Sequence, residues 1–247
     1  MKNYIPHAEL LKDRVILVTG ASSGLGRMAS LAYARHGATV ALLARTEQTL
    51  DLVYDEILAV GGSEPAIFQF DLAAADDAGF ERLAGMIGHH LKRIDGILHS
   101  AHAFTILSQL QLQTLDQWQT LFRVNLLAPF ALTRACMPFL QAAQHASVIF
   151  TGETHGHQPA AYWGGYAIAK AGLETLTRIW ADESDHPDGV RFNTLIPGPV
   201  ATTLRARTHP GCLADSLPQP AELMPHYLYL MGPDSLAVRG QIIECQA

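Results

Sequence analysis

Cysteine is scarce in this chain: Cys136, Cys212 and Cys245 are the full complement. Scattered thiols in odd number make neither a disulfide framework nor a zinc cage, so a reducing, cytoplasmic setting is expected. Long apolar runs are missing too. No stretch reaches the roughly 18 continuous apolar residues that a membrane span requires. Met1 to Leu11 mixes charged, polar and apolar residues around Pro6, without the basic start and apolar run of a secretion signal. Positive charge is sparse: 17 Lys and Arg against 23 Asp and Glu leave a net charge of −6. The basic residues form no run, which sets nucleic acid and anionic membranes aside and leaves a small molecule as the expected partner. Histidine is plentiful, but His155 with His157, and His89 with His90, lack a third ligand at a recognisable spacing, so no metal is expected.

What the chain does have is apolar substance and a regular alternation. About half of its 247 residues are hydrophobic (49%), enough for a substantial core in one domain. Short β-rich runs alternate with helix-like segments from end to end, the pattern of βαβ units around a parallel sheet. Strands are expected at Arg14 to Thr19, Thr39 to Leu43, Ala66 to Phe70, Gly96 to His99, Ser147 to Thr151, Val190 to Ile196 and Gln241 to Cys245. Helices are expected at about Leu25 to His36 with Gly37 at the C-terminal cap, after Thr46 as N-cap, and at Asp77 to Leu91, Thr114 to Leu140, Tyr162 to Ala181 and Ala221 to Met231. Pro129 predicts a kink or break in the longest of these. Gly198 to about Pro220 reads as a loop that lids a pocket. The fold class is α/β: a single-domain, doubly wound parallel sheet between helical layers, of Rossmann type.

Three local patterns carry chemistry. Between the first strand and first helix stands Thr19-Gly20-Ala21-Ser22-Ser23-Gly24-Leu25-Gly26. There Gly20 permits a tight turn, Gly24 lets a pyrophosphate approach the backbone, and Gly26 lets the helix lie close to the strand. The helix start adds unpaired N–H groups and a positive dipole end. After the second strand, where an acid would select the ribose 2′-hydroxyl of NAD, the chain has Ala44 and Arg45. A guanidinium there suits a 2′-phosphate, with Ser22 and Ser23 as neutral helpers, so NADP is the expected cofactor. Finally, Tyr166-Ala167-Ile168-Ala169-Lys170 puts a phenol and an ammonium on one helical face. The Lys170 cation is expected to lower the Tyr166 pKa and fit it for acid–base work.

Taken in order, these motifs resemble the short-chain dehydrogenase/reductase family from Arg14 to about Glu244: TGASSGLG, Asp71-Leu72 after the third strand, Asn125 in VNLLAPF, YAIAK, and Pro197-Gly198 followed by Thr202. YWGGYAIAK and LMPHYLYLMGPDS are most similar to a bacterial subgroup whose natural substrates are unassigned. The resemblance implies that Gly20, Ser22, Ser23, Gly24, Leu25 and Gly26 cradle the cofactor, with Arg45 at its ribose. It puts Asp71 and Leu72 at the adenine, Ala101 along the cofactor, and Pro197, Gly198, Val200 and Thr202 at the nicotinamide. It further implies Tyr166 as acid/base, Lys170 at the nicotinamide ribose, Asn125 holding a relay water, and a homodimer or homotetramer built on the two long helices.

The chain departs from the family pattern twice. The family's substrate-orienting serine precedes both a glycine and the tyrosine, and counting back from Gly156 and from Tyr166 lands on Glu153. An ionised Glu153 opposes a developing alkoxide and raises the Tyr166 pKa, whereas a protonated one donates in the serine's place. Where the family has Asn-Asn-Ala-Gly, the chain has His99-Ser100-Ala101-His102, so an imidazole replaces a glycine beside the cofactor. Two readings stay open for His102, entry into the site or a turn to solvent. The expected function is an NADP(H)-dependent oxidoreductase on a small carbonyl or alcohol, with Glu153 a non-standard catalytic residue. The alternatives are an NADP-binding sensor with little turnover, and dehydration or isomerisation with Glu153 as base.

Overall fold

The computed structural model describes residues 1, 3–186 and 189–246. In chain order its elements are β1 Val15–Thr19, α1 Gly24–Arg35, β2 Thr39–Ala44, α2 Glu47–Ala59, β3 Ala66–Gln69, α3 Asp77–Leu91, β4 Gly96–His99, α4 Leu115–Phe122, α5 Ala128–Ala142, β5 Ser147–Thr151, α6 Thr154–His157, α7 Gly164–Glu183, β6 Arg191–Ile196, α8 Thr203–Thr208, α9 Met224–Met231 and β7 Ile242–Glu244. The strands form one parallel sheet in the order β3-β2-β1-β4-β5-β6-β7. The order reverses direction between β1 and β4, and a doubly wound sheet opens a crevice at the carboxyl ends there.

Alternation along each strand builds two core layers. Ile16 and Val18 of β1 enter the layer shared with α1, α2 and α9, while Leu17 between them enters the layer shared with α3, α5 and α7. Both faces are therefore apolar, and each fully buried Leu, Ile or Val contributes about 1.5 to 3 kcal/mol. Helix starts follow local chemistry. Asp76 accepts from the Gly79 N–H to begin α3, and Thr114 and Gln117 make a reciprocal capping box at α4. Thr46 sits at the N-cap of α2 without a side-chain cap bond. Gly37 follows α1 at φ +95°, as its cap position demands.

Two expectations about elements change. The segment from Thr114 to Leu140 is not one helix: α4 ends at Phe122, a π-helical turn spans Arg123–Leu127, and α5 follows. Pro129 lies in the first turn of α5, where its missing N–H costs little, and the interruption comes instead from the widened turn before it. The region from Gly198 to Pro220 is not all loop. Thr202 accepts from the Arg205 N–H and caps the short helix α8. The last helix is likewise split, a 3₁₀ turn Pro220–Leu223 leading into α9. No helix of the described residues is long and apolar enough to cross a membrane, and all three cysteines are free.

Candidate active site at the carboxyl ends of β1, β4 and β5

The glycine loop is tied to both neighbouring strands. Ala21 N–H donates to Leu43 O at the end of β2 (3.2 Å). Thr19 Oγ1 accepts from the N–H groups of Ser100 and Ala101, both at 3.1 Å, drawing the turn after β4 against it. Gly20 has φ +66°, and a Cβ there would stand 2.8 Å from Ala101 Cα. A Cβ on Gly26 would collide with the Gly20 carbonyl. Gly24, at φ +53°, leaves open backbone facing Thr202, the nearest side chain at 3.8 Å from the Cβ it lacks. Ser23 is the N-cap of α1 yet makes no cap bond, so its hydroxyl and the first N–H groups of α1 remain available. The cradle therefore fits a pyrophosphate: glycines where side chains would intrude, with free donors around them.

The other residues expected to meet the cofactor lie on the segments that follow β2, β3 and β6. Arg45 follows β2 with an exposed side chain, and its carbonyl accepts from Gln69 Nε2 (3.0 Å). Leu25 packs on the core from α1. Leu72 buries its side chain among the α3 layer, so the exposed group at that position is Asp71, whose Oδ1 accepts from Ala73 N–H (2.8 Å). Gly198 takes φ +74°, and Gln246 Nε2 donates to both Pro197 O and Pro199 O at 2.7 and 2.8 Å. Val200 is buried.

The chemistry converges where β5 ends. The strand stops at Thr151, Gly152 follows, and Glu153 sits in extended backbone as the N-cap of α6, so Thr154 belongs to a helical turn and not to a strand. Tyr166 and Lys170 are buried on α7. Lys170 Nζ donates to Thr151 O (2.7 Å) and lies 5.8 Å from the Tyr166 ring centre. Burial lowers the Lys170 pKa to about 8, against a raising influence from Glu153. Burial pushes the Glu153 carboxyl up, opposed by the Lys170 cation, by the nearby His155 side chain and by the backbone N–H groups of His155 and Thr154. Tyr166 is corrected in sign: its pKa is raised well above 10 by burial and then by Glu153, not lowered by Lys170. Desolvation of the buried phenol, reinforced by the Glu153 carboxyl, outweighs the pull of the nearby Lys170 ammonium.

Asn125 is fully buried in the π-helical turn, with its side chain committed to the backbone. Oδ1 accepts from Ala103 N–H (3.0 Å), and Nδ2 donates to Ala103 O and Leu121 O, each at 2.8 Å. Both amide protons being used, a relay water would meet this side chain only as a donor to it. Asn125 thus latches the segment after β4 onto α4. His99 is also structural: Nε2 pairs with Thr133 Oγ1 at 2.8 Å, the ring stacks on Phe150, and burial followed by Lys170 drops its pKa to about 3. His102 is exposed at the surface. Desolvation by the surrounding chain, then Lys170 and, less, Arg207 lower its pKa to about 4, against a backbone hydrogen bond to Ser100.

Sequence reasoning missed the wall facing Tyr166. Phe104 meets the Tyr166 ring edge-on at 5.3 Å, Trp163 lies 6.0 Å from Tyr166, and His155 is 4.2 Å from Trp163. Leu204 of α8 packs against this cluster. These residues come from four segments without shared periodicity, so no local signal joins them.

The profile of the short chain dehydrogenase family matches residues 14–212. The uncharacterized oxidoreductase YciK of Escherichia coli K12 is 38% identical over 244 residues, covering 99% of this chain and 96% of that protein. Among solved structures, a short chain dehydrogenase of Pseudomonas syringae superposes with TM-score 0.95 at 40% identity, covering 100% of both chains. A short chain dehydrogenase of Shigella flexneri 2a, complexed with NADP, superposes with TM-score 0.94 at 38% identity, covering 98% of this chain and 100% of that one. With a glycine cradle at the switch point and a Tyr-Lys pair at the end of β5, the chain belongs to the short chain dehydrogenase family of oxidoreductases.

Proposed function

We propose that the protein is a cytoplasmic, NADP(H)-dependent reductase of a small carbonyl compound in which a protonated Glu153 does the work of the family's serine. The supporting observation is the placement of Glu153: it stands two residues past the end of β5, whose last carbonyl, Thr151 O, anchors Lys170, and burial raises its pKa while it acts on both Tyr166 and Lys170. A neutral carboxylic acid donates a hydrogen bond to a substrate oxygen, which an anion there would repel. Tyr166 supplies the proton to that oxygen. A phenol whose pKa is raised stays protonated at neutral pH, the form reduction needs; alcohol oxidation needs the tyrosinate that burial disfavours. Lys170, anchored on Thr151 O, is the cation that eases proton loss from Tyr166, and Asn125 is a positioning residue.

NADPH supplies the hydride when bound. Gly20, Ser22, Ser23, Gly24, Leu25 and Gly26 would hold its pyrophosphate, Arg45 its 2′-phosphate, Asp71 and Leu72 its adenine, and Ala101, Lys170, Pro197, Gly198, Val200 and Thr202 its nicotinamide half. The absence of an acid after β2 supports NADP over NAD, as does the bound NADP of the Shigella relative. We infer a symmetric dimer or tetramer on the face of α5 and α7, where Leu127, Phe130, Ile168 and Ile179 stay exposed.

Wild-type protein should oxidise NADPH with aldehydes or ketones, Tyr166→Phe should lose at least a hundredfold in kcat, and Glu153→Gln, still a neutral donor, should stay within about tenfold. If Glu153→Ser instead raises the rate roughly a hundredfold over an almost inert wild type, Glu153 is an inhibitory anion and the chain is an NADP-binding protein with a spoiled site.

A further inference from the structure

The helix that closes over Tyr166 carries two cations with no anion to meet them. Among the described residues no carboxylate lies within ion-pair distance of Arg205 or Arg207. Arg205 is half-buried, its Nε is shielded from water without a hydrogen-bond partner, and among the described residues its side-chain hydrogen bond is a long one from Nη1 to His209 Nε2 (3.4 Å). A guanidinium N–H withdrawn from water and left unpaired is unfavourable, so the position calls for an acceptor. Arg207 lies over the Phe104 ring at 5.5 Å, and its Nη2 reaches Phe104 O and Thr105 O only at 3.4 and 3.2 Å. Phe104 in turn lies against Tyr166. Arg207 therefore stands one ring away from the reacting phenol, with Arg205 two residues before it on the same helix, and the Phe104 and Trp163 rings lie 6.2 Å apart at a tilt of 54°.

Resting on the reading of this cleft as the substrate site, we propose that the substrate carries a carboxylate on an apolar body. Arg205 and Arg207 take the carboxylate, and the half-buried Phe104 ring, between Arg207 and Tyr166, takes the body. Planar guanidinium donors match a carboxylate fork, and an aromatic ring favours an apolar or aromatic partner. The nearby acid, Glu153, serves at the reacting oxygen and is not within reach of either arginine. The arginines then set specificity and take no part in proton transfer.

The test uses full-length protein saturated with NADP+ and calorimetric titration of 4-acetylbenzoate, 4-acetylbenzamide and acetate. The benzoate should bind at least roughly tenfold more tightly than the uncharged amide and than acetate, which has the charge without the ring. Arg205→Gln and Arg207→Gln should each shrink the preference over the amide severalfold, while NADPH still binds as in the wild type. Equal binding of benzoate and amide, failure of all three to bind, or a preference that survives in both variants overturns the proposal. Loss of NADPH affinity in the variants also overturns it, because the arginines would then belong to the cofactor. With NADPH in place of NADP+, equal kcat/KM for benzoate and amide would refute the anion preference and leave the reductase reading intact. Selective benzoate binding without any turnover would do the reverse.

Discussion

Arg45 ends β2 with its guanidinium in solvent and only its carbonyl engaged. Nothing in the protein needs that charge, so its replacement should register in cofactor choice and not in stability. Arg45→Ala is expected to weaken NADPH binding by about 1.5 to 3 kcal/mol and NADH binding hardly at all, read by calorimetry with both cofactors. Equal losses would remove the 2′-phosphate role. Lys170 offers a pH signature. With its pKa lowered to about 8 by burial, its charge is present below that value and lost above it. If the cation eases proton loss from Tyr166, kcat for carbonyl reduction falls as pH rises through about 8. Lys170→Arg, which keeps its charge, should carry that limb upward in a pH-rate profile; a limb that stays put assigns it to another group.

Between α4 and α5 the π-helical turn makes Asn125 the clasp of the site. Three hydrogen bonds from one buried side chain hold Ala103 and Leu121, and the segment they fix leads directly to Phe104 on the substrate wall. Asn125→Ala removes the bonds to Ala103 N–H, Ala103 O and Leu121 O, and should cost about 2 to 4 kcal/mol in urea unfolding. Asn125→Asp, unable to donate to those carbonyls, should be no better. Because the clasp positions the wall, KM should rise in either variant at temperatures where the protein stays folded. An unfolding midpoint within error of the wild type would show that the turn holds without it.

Across the whole molecule, one sheet brings β1, β4 and β5 together at their carboxyl ends and leaves an apolar face unpartnered. Leu127 is 49% and Phe130 36% exposed on neighbouring turns, and Ile168 and Ile179 add to them from α7. Leu127→Glu with Phe130→Glu puts charges on this face, at the cost of the Phe130 stacking on Trp180, so the variant's folding is checked by circular dichroism alongside. Light scattering at micromolar concentration should then change from a dimer or tetramer mass to a monomer, and a monomeric wild type would dispose of the interface. The far end of the sheet is held differently. Arg191, fully buried at the start of β6, donates to Leu230 O, Gly232 O and Ser235 O at 3.0 to 3.1 Å, tying α9 to the sheet edge away from the cleft.

Period and punctuation made the sheet and the cofactor cradle legible, since strand alternation, the glycine loop and the Tyr-Lys spacing are local properties that neighbours in sequence determine. The order of the strands came from the fold itself. Even the substitution of Glu153 for the expected serine was visible by counting. Other properties were settled only by folding. The break at Arg123–Leu127 arises because Asn125 finds Ala103 across the cleft, a partner no helical period announces. The sign of the Tyr166 shift needed the depth of burial, which reverses what a lysine one turn away suggests. The pairing of Phe104, Trp163 and α8 around Tyr166 exists because β4 and β5 are neighbours in the sheet, so loops far apart in the chain open over one cleft. Spacing along a chain decides what one element presents, whereas desolvation and contact depend on which elements meet, and those are properties of the packed molecule alone.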